Sequence, residues 1–236
     1  MTHAHDGGPD GEPPDGDAVT DGGEVDDDPA AADADAGGDA ADAGEDEDAV
    51  HAIVLEFLPH GRADDDRPQH RRTPVAYALG DRDFRLFEFQ LSEDAEFGIG
   101  DRVRVDPDTA SGIERVRDVG YDDLNRGARQ ELEYVVSEVI AADERRFVDF
   151  FNDAEPISLR LHQLNLLPGI GKKLRNNVLD ARKRGPFESF EDLSERVSGL
   201  HDPQETLAER VLEELRDDDL KYRIFVGVDA PTANKG

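Results

Sequence analysis

Between residues 50 and 119 apolar side chains come in short runs of strand-like pattern, whereas beyond residue 121 they recur every three or four positions. That change of period predicts a β part followed by a helical part. Ile53–Leu58, Val75–Leu79, Phe84–Leu91 and Asp101–Val105, separated by Gly and Pro, predict four strands. Short strands with no helix among them predict a small closed barrel, because closure removes exposed edges. Asp122 or Asp123 then caps a predicted helix running through Leu132, Val135, Val136, Val139 and Ile140. Phe147, Phe150 and Phe151 form an aromatic cluster suited to core packing. Behind Pro156, a good first-turn residue, Ile157, Leu161, Leu164 and Leu167 predict one helix; Leu174, Val178 and Ala181 predict the next. Tyr222–Val226 reads as a short strand returning to the sheet. The expected architecture is α+β: a small β-barrel over 50–120, linking helices over 121–154, a helical domain over 155–218, a returning strand within 219–228 and a tail over 229–236.

The segment between the two later helices carries the most chemistry. Leu167-Pro168-Gly169-Ile170-Gly171 runs straight into Lys172-Lys173. Two glycines permit a tight turn and close approach of another backbone, while Ile170 between them can point inward. The first amides of the following helix have no intrahelical partner, and its dipole favours an anion there. Candidate phosphate-binding residues are therefore Gly169, Ile170, Gly171, Lys172, Lys173, Leu174, Arg175, Arg182 and Lys183. From Lys172 to Arg184 six basic residues face only Asp180, a surplus of five positive charges. The plainer reading of such a run is a solvated helix face.

Charge elsewhere points the other way. The chain carries 57 acidic and 27 basic residues, for a net charge of −30. Residues 1–49 hold 18 of the acids and neither Lys nor Arg, leaving 39 acids against 27 bases beyond them. This Asp-, Ala- and Gly-rich leader has too little apolar surface to offset chain entropy and is expected to be disordered. The preference for Asp, and for Arg over Lys, resembles proteins of salt-loving archaea. At 1 M salt the Debye length is about 3 Å, so overall repulsion of a polyanion hardly acts and short-range contacts decide. Neither a signal peptide nor a membrane-length apolar run is present, so a cytoplasmic protein without membrane contact is expected. There is no cysteine, which removes disulfides, thiol nucleophiles and thiolate zinc sites.

One strand connection is unusually basic. From Leu58 to Arg72 it contains Arg62, Arg67, Arg71 and Arg72 with His60 and His70, beside Asp64, Asp65 and Asp66. The arginines can grip phosphate or stack on bases, or pair with the adjacent aspartates; the sequence leaves both open. The histidines and aspartates read as a solvated acidic turn rather than a metal site.

Several strings resemble known families. Leu167–Lys173 between helices resembles a helix-hairpin-helix motif. Gly185–Leu193 resembles the connector of a tandem pair, and Val197–His201 before Leu207, Val211, Leu212 and Leu215 resembles a second hairpin lacking one glycine. Gly98–Val103 resembles the turn and strand of OB-like barrels, whose loops line the binding face. Leu58–Arg62, Glu131–Val136, Arg146–Asn152 and Leu166–Lys173 together make residues 50–228 similar to the archaeal family called domain of unknown function 655. That resemblance implies a non-catalytic nucleic-acid-binding protein, RNA favoured over DNA, with translation-related protein partners. The wider hairpin family implies amides of Gly171, Lys173 and Leu174 on phosphate, and carbonyls of Asn165, Leu167 and Ile170 around a potassium ion. Two other classes compete. One is a protein-interaction module without nucleic acid. The other is a DNA glycosylase, whose catalytic Asp setting is matched here only by Ser189–Asp192.

Overall fold

The computed structural model describes residues 49–227; the predicted leader up to residue 48 and the tail over 229–236 lie outside them. Ala49 is already buried. Five strands form one antiparallel sheet: β1 (Val50–Leu58), β2 (Val75–Gly80), β3 (Leu86–Leu91), β4 (Arg102–Asp106) and β5 (Ile113–Val119), in the order β4-β1-β2-β3-β5. The expected closed barrel is a half-barrel instead, because β4 and β5 are edges that do not pair as strands. A bond from the Ala110 amide to the Arg104 carbonyl (2.9 Å), just before β5, draws the two edges toward each other. The curl encloses one core of Val54, Ala76, Ala78, Phe87, Phe89, Leu91 and Val103.

The other face of the sheet supports the helices. Leu55, Tyr77, Leu79 and Leu86 pack there with α1 (Arg126–Ala142). A bulge in β1 shifts the register between Val54 and Glu56. Strict alternation would place Leu55 and Glu56 on opposite faces, but the bulge lets both serve the helical side. Leu55 enters that core, and the Glu56 carboxylate accepts the Ala128 amide at 2.9 Å, alongside the N-cap Asn125. Gly127 leaves room for this approach: a Cβ there would lie 2.6 Å from a Glu56 oxygen, and the carboxylate would have to shift. The cap is thus Asn125 rather than Asp122 or Asp123, which sit in a 3-10 turn just before it. Leu132, Val135, Val136, Val139 and Ile140 are buried as predicted.

Next come α2 (Glu144–Asp153), α3 (Lys172–Arg182), α4 (Phe190–Arg196) and α5 (Pro203–Arg216). Phe147 and Phe151 are buried in one core, and Phe147 meets Phe84 at 6.1 Å between ring centroids. Phe84, expected in a strand, instead occupies the turn between β2 and β3 at φ 54° with its ring fully buried.

Two predicted elements are absent. Residues 157–161 do not form a helix: Pro156 and His162 bridge as an antiparallel pair, and only a 3-10 turn, Gln163–Leu166, precedes the hairpin. Tyr222–Val226 does not form a strand. The fully buried Glu214 carboxylate of α5 takes the amides of Ile224, Phe225 and Val226 at 2.9 to 3.0 Å, together with the Arg210 guanidinium at 2.8 Å. Amides drawn onto one carboxylate cannot also form a sheet ladder. Phe225 then packs on Phe150 and Phe147.

Candidate nucleic-acid interface

The hairpin sits between the 3-10 turn and α3. His162 is buried and its Nδ1 accepts the Leu164 amide at 3.2 Å, which requires an unprotonated nitrogen. Burial first, then Arg182 and Arg175, holds its pKa below the ordinary histidine value. Leu167 and Ile170 are buried on either side of the turn. Gly169 has φ +72°, a left-handed conformation that favours glycine. Gly171 is different. Its φ of −77° and ψ of 178° suit any residue, and a Cβ built on it would meet nothing within 4 Å. Neither conformation nor packing within the described chain requires a glycine there.

Counting the backbone donors defines what this corner offers. The Ile170 amide goes to the Leu167 carbonyl (3.2 Å) and the Gly171 amide to the Gly169 carbonyl (3.1 Å). Among the described residues nothing accepts from the amides of Lys172, Lys173 and Leu174, the first turn of α3. Of the expected Gly171, Lys173 and Leu174, the last two are open, and Lys172 stands in place of Gly171, whose amide is bonded within the turn. Three outward amides at the end of an 11-residue helix dipole form a ready anion site.

The side chains divide into two groups. Arg182 is tied down, donating to the carbonyls of Phe151 (3.2 Å), Asn152 (2.8 Å) and Ala154 (3.0 Å) and so closing the C-terminus of α2. Lys183 pairs with Asp180 (2.8 Å) on the exposed face. Arg175 bonds the side-chain oxygens of Asn165 (3.1 Å) and Asn176 (3.0 Å), while Asn165 Nδ2 donates to the Ile170 carbonyl (3.0 Å). Lys172, Lys173 and Arg184 are exposed, and among the described residues none has a bonded acceptor. Arg160, earlier in the same block, is exposed and unpaired in the same sense. Neither Arg160 nor Arg184 stands out in the sequence as a site residue, since local sequence cannot show which cations find partners in the fold.

The basic connection between β1 and β2 is largely self-paired. Arg62 bonds Asp64 (2.8 Å) and the buried Glu88 (3.0 Å), and Arg67 clasps Asp65 (2.7 Å). The Arg67 side chain, with its own backbone amide, pushes the Asp65 carboxyl down to about 2. Arg72 donates to the carbonyls of Arg67 (2.8 Å) and Arg62 (3.3 Å). Arg71 alone of the four is exposed without a bonded acceptor among the described residues. No three His, Asp or Glu side chains gather as a metal site among the described residues, so His60, Asp64, Asp65, Asp66 and His70 do not converge.

The second hairpin has the opposite character. Gly199 has φ +99° and lies against Leu174, with a built Cβ 3.6 Å from its side chain. Asn177 donates to the Ser198 carbonyl at 3.0 Å. Asp202 caps α5, taking the Glu205 amide at 2.8 Å, and Pro203 offers no amide. A carboxylate thus occupies the corner that a phosphate would need. At the position resembling the glycosylase Asp, the Asp192 carboxylate is bound by Arg196 at 2.7 Å, and Ser189 caps α4.

Residues 48–227 match the family model described as protein of unknown function (DUF655). The chain belongs to that family. It is 38% identical over 178 residues to the uncharacterised protein MJ0038 of Methanocaldococcus jannaschii, covering 75% of this chain and 79% of that protein. The crystal structure of Af1531 from Archaeoglobus fulgidus, described as a DUF655 family member, is 40% identical and superposes with a TM-score of 0.69, covering 75% of this chain and 98% of that one. The DUF655 match ends at the last described residue and begins one position before the first. Within it no helix is long and apolar enough to cross a membrane.

Proposed function

We propose that this DUF655 protein is a non-catalytic, cytoplasmic nucleic-acid-binding protein, RNA favoured over DNA, which grips the phosphate backbone at Gly169–Leu174. On this reading the hairpin is a helix-hairpin-helix whose first helix is reduced to a 3-10 turn. The second hairpin is its packing partner in a degenerate tandem pair, and the curled sheet is an OB-like half-barrel. The observation that carries the proposal is the combination at one corner: three open amides, two unpaired lysines, and a Gly171 whose Cβ direction is empty. Glycine is also a favoured N-cap, and with no side chain it leaves that direction open for a second molecule's backbone to come close. Contacts of this kind work at hydrogen-bond range, so they survive salt that screens the acidic surface.

Grip on the backbone is blind to base identity. A potassium ion would fit the same turn, because the carbonyls of Asn165, Leu167 and Ile170 are hard oxygen donors and each retains at least one free lone pair. Such an ion would add positive charge beside the phosphate. The acidic second hairpin is what favours the competing reading of a protein-interaction module.

The test is a titration of labelled RNA and DNA oligomers with the wild type and with Lys172→Ala/Lys173→Ala. A charge-assisted contact contributes roughly 1 kcal/mol or more, so losing both lysines weakens binding about tenfold or more at moderate salt. Loss alike for unrelated sequences is the expected result. Wild-type affinity in the folded double variant would reduce the patch to a solvated face and put the interaction module ahead.

A further inference from the structure

The tight turn before the hairpin ends in an apolar tip. Leu159 is 108% exposed relative to an extended chain, more than any other large hydrophobic side chain among the described residues. Its neighbour Arg160 is exposed and unpaired among them. The turn is built to hold this tip in place. The amides of Ile157 and Ser158 both donate to the Leu161 carbonyl (2.9 and 3.0 Å), and Ser158 Oγ accepts the amides of Arg160 (3.4 Å) and Leu161 (3.2 Å). At its base Pro156 bridges His162, the Gln163 amide donates to the Glu155 carbonyl (3.0 Å), and the Glu155 amide donates to the Gln163 side chain (2.6 Å). A turn of this shape needs nothing of leucine. Polar residues suit a solvated tip better, and Leu159 gains no burial within the chain.

The tip is joined along the chain to the proposed phosphate-binding corner. His162 closes the turn and caps the 3-10 helix that runs directly into Leu167, so turn and hairpin are successive parts of one anchored segment. Four residues at about 2 Å rise each separate them along that helix.

Resting on the reading of the hairpin as a phosphate grip, we propose that Leu159 and Arg160 form a base-contacting tip that selects unpaired nucleotides in the strand the hairpin holds. An aliphatic side chain on a rigid support acts as a wedge, filling the space beside a base that has left its stack. Entering an intact duplex requires unstacking, which costs a few kcal/mol per step, whereas a bulged or single-stranded base is already free. The arginine adds a planar cation that can lie on the exposed base or reach the neighbouring phosphate. A backbone grip without sequence preference thereby acquires a preference for structure.

The test compares one perfect RNA duplex with the same duplex carrying a single bulged 2-aminopurine, titrated with the wild type, Leu159→Ser and Lys172→Ala/Lys173→Ala. Wild type is expected to bind the bulged RNA more tightly and to change the 2-aminopurine fluorescence. Leu159→Ser, a change at a fully exposed site, is expected to lower affinity for the bulged RNA about fivefold, which is ~1 kcal/mol, and to leave the perfect duplex unaffected. The lysine variant weakens both RNAs alike. Equal wild-type affinity for the two RNAs, or an unchanged ratio and fluorescence in Leu159→Ser, overturns the tip while leaving the hairpin reading intact. No wild-type binding to either RNA overturns both.

Discussion

Replacing Gly169 and Gly171 by alanine, one at a time, separates what the fold needs from what a ligand needs. At Gly169 the backbone is left-handed, φ +72°, where an L-residue pays about 1–2 kcal/mol. Stiffening the unfolded chain returns about 0.4–1 kcal/mol, so Gly169→Ala is expected to destabilise by ~1 kcal/mol. At Gly171 the backbone is extended and a Cβ meets nothing within 4 Å. Gly171 is, however, the N-cap of α3, where glycine is favoured over alanine; this offsets the gain from stiffening the unfolded chain, and Gly171→Ala is expected to be close to neutral. The bulkier Gly171→Val is disfavoured at an N-cap, so its fold is checked by the same unfolding measurement, and the folded variant is expected to block the approach of phosphate. Denaturant unfolding in molar KCl reads the stabilities, and oligomer titration reads binding. If Gly171→Ala loses as much stability as Gly169→Ala, the turn constrains both glycines and the open side has no special meaning. If folded Gly171→Val binds RNA like wild type, close approach at that point is wrong.

Two further expectations follow from buried polar groups. Glu214→Ala leaves the amides of residues 224–226 and the Arg210 guanidinium without their shared acceptor. A loss of about 3–5 kcal/mol and of hydrogen-exchange protection at those amides is expected, and a shift under 1 kcal/mol would show the clasp to be dispensable. His162 has a pKa below the ordinary value of 6.5 in the folded protein, so the unfolded chain binds its proton more readily. Its contribution is present above pH 6.5 and is lost as pH falls from there through the lower folded value. Unfolding midpoints at pH 7.5 and 5 should therefore differ less in His162→Asn than in wild type.

The sequence announced those elements whose pattern is local. The stripe from Leu132 to Ile140 lies on one helical face, and the pair Gly169 and Gly171 marks a turn. β5 was missed because Ile113, Val116 and Val119 recur every third position, while the charged residues between them are exposed on an edge strand with one neighbour. The spacing of Ile157, Leu161, Leu164 and Leu167 imitates a helix, yet Ser158 and the Pro156–His162 bridge fold residues 157–161 into a turn. The apolar run Ile224–Val226 looks like a strand until the Glu214 carboxylate, ten to twelve residues away, captures its amides. The same limit applies to the interface. Sequence places the cations, but only the fold shows that Arg62 and Arg67 are paired, that Arg182 caps a helix, and that Lys172 and Lys173 are left over.

The central claim concerns three backbone amides, and amide-resolved NMR observes them directly. In a titration of 15N-labelled protein with a short RNA in KCl, the amide resonances of Lys172, Lys173 and Leu174 are predicted to shift most, with the same saturation as the overall binding curve. Inorganic phosphate should move the same three more weakly. Contradiction would be a titration in which these three resonances stay fixed while those of residues 60–72, or of the second hairpin at 197–202, move with saturation.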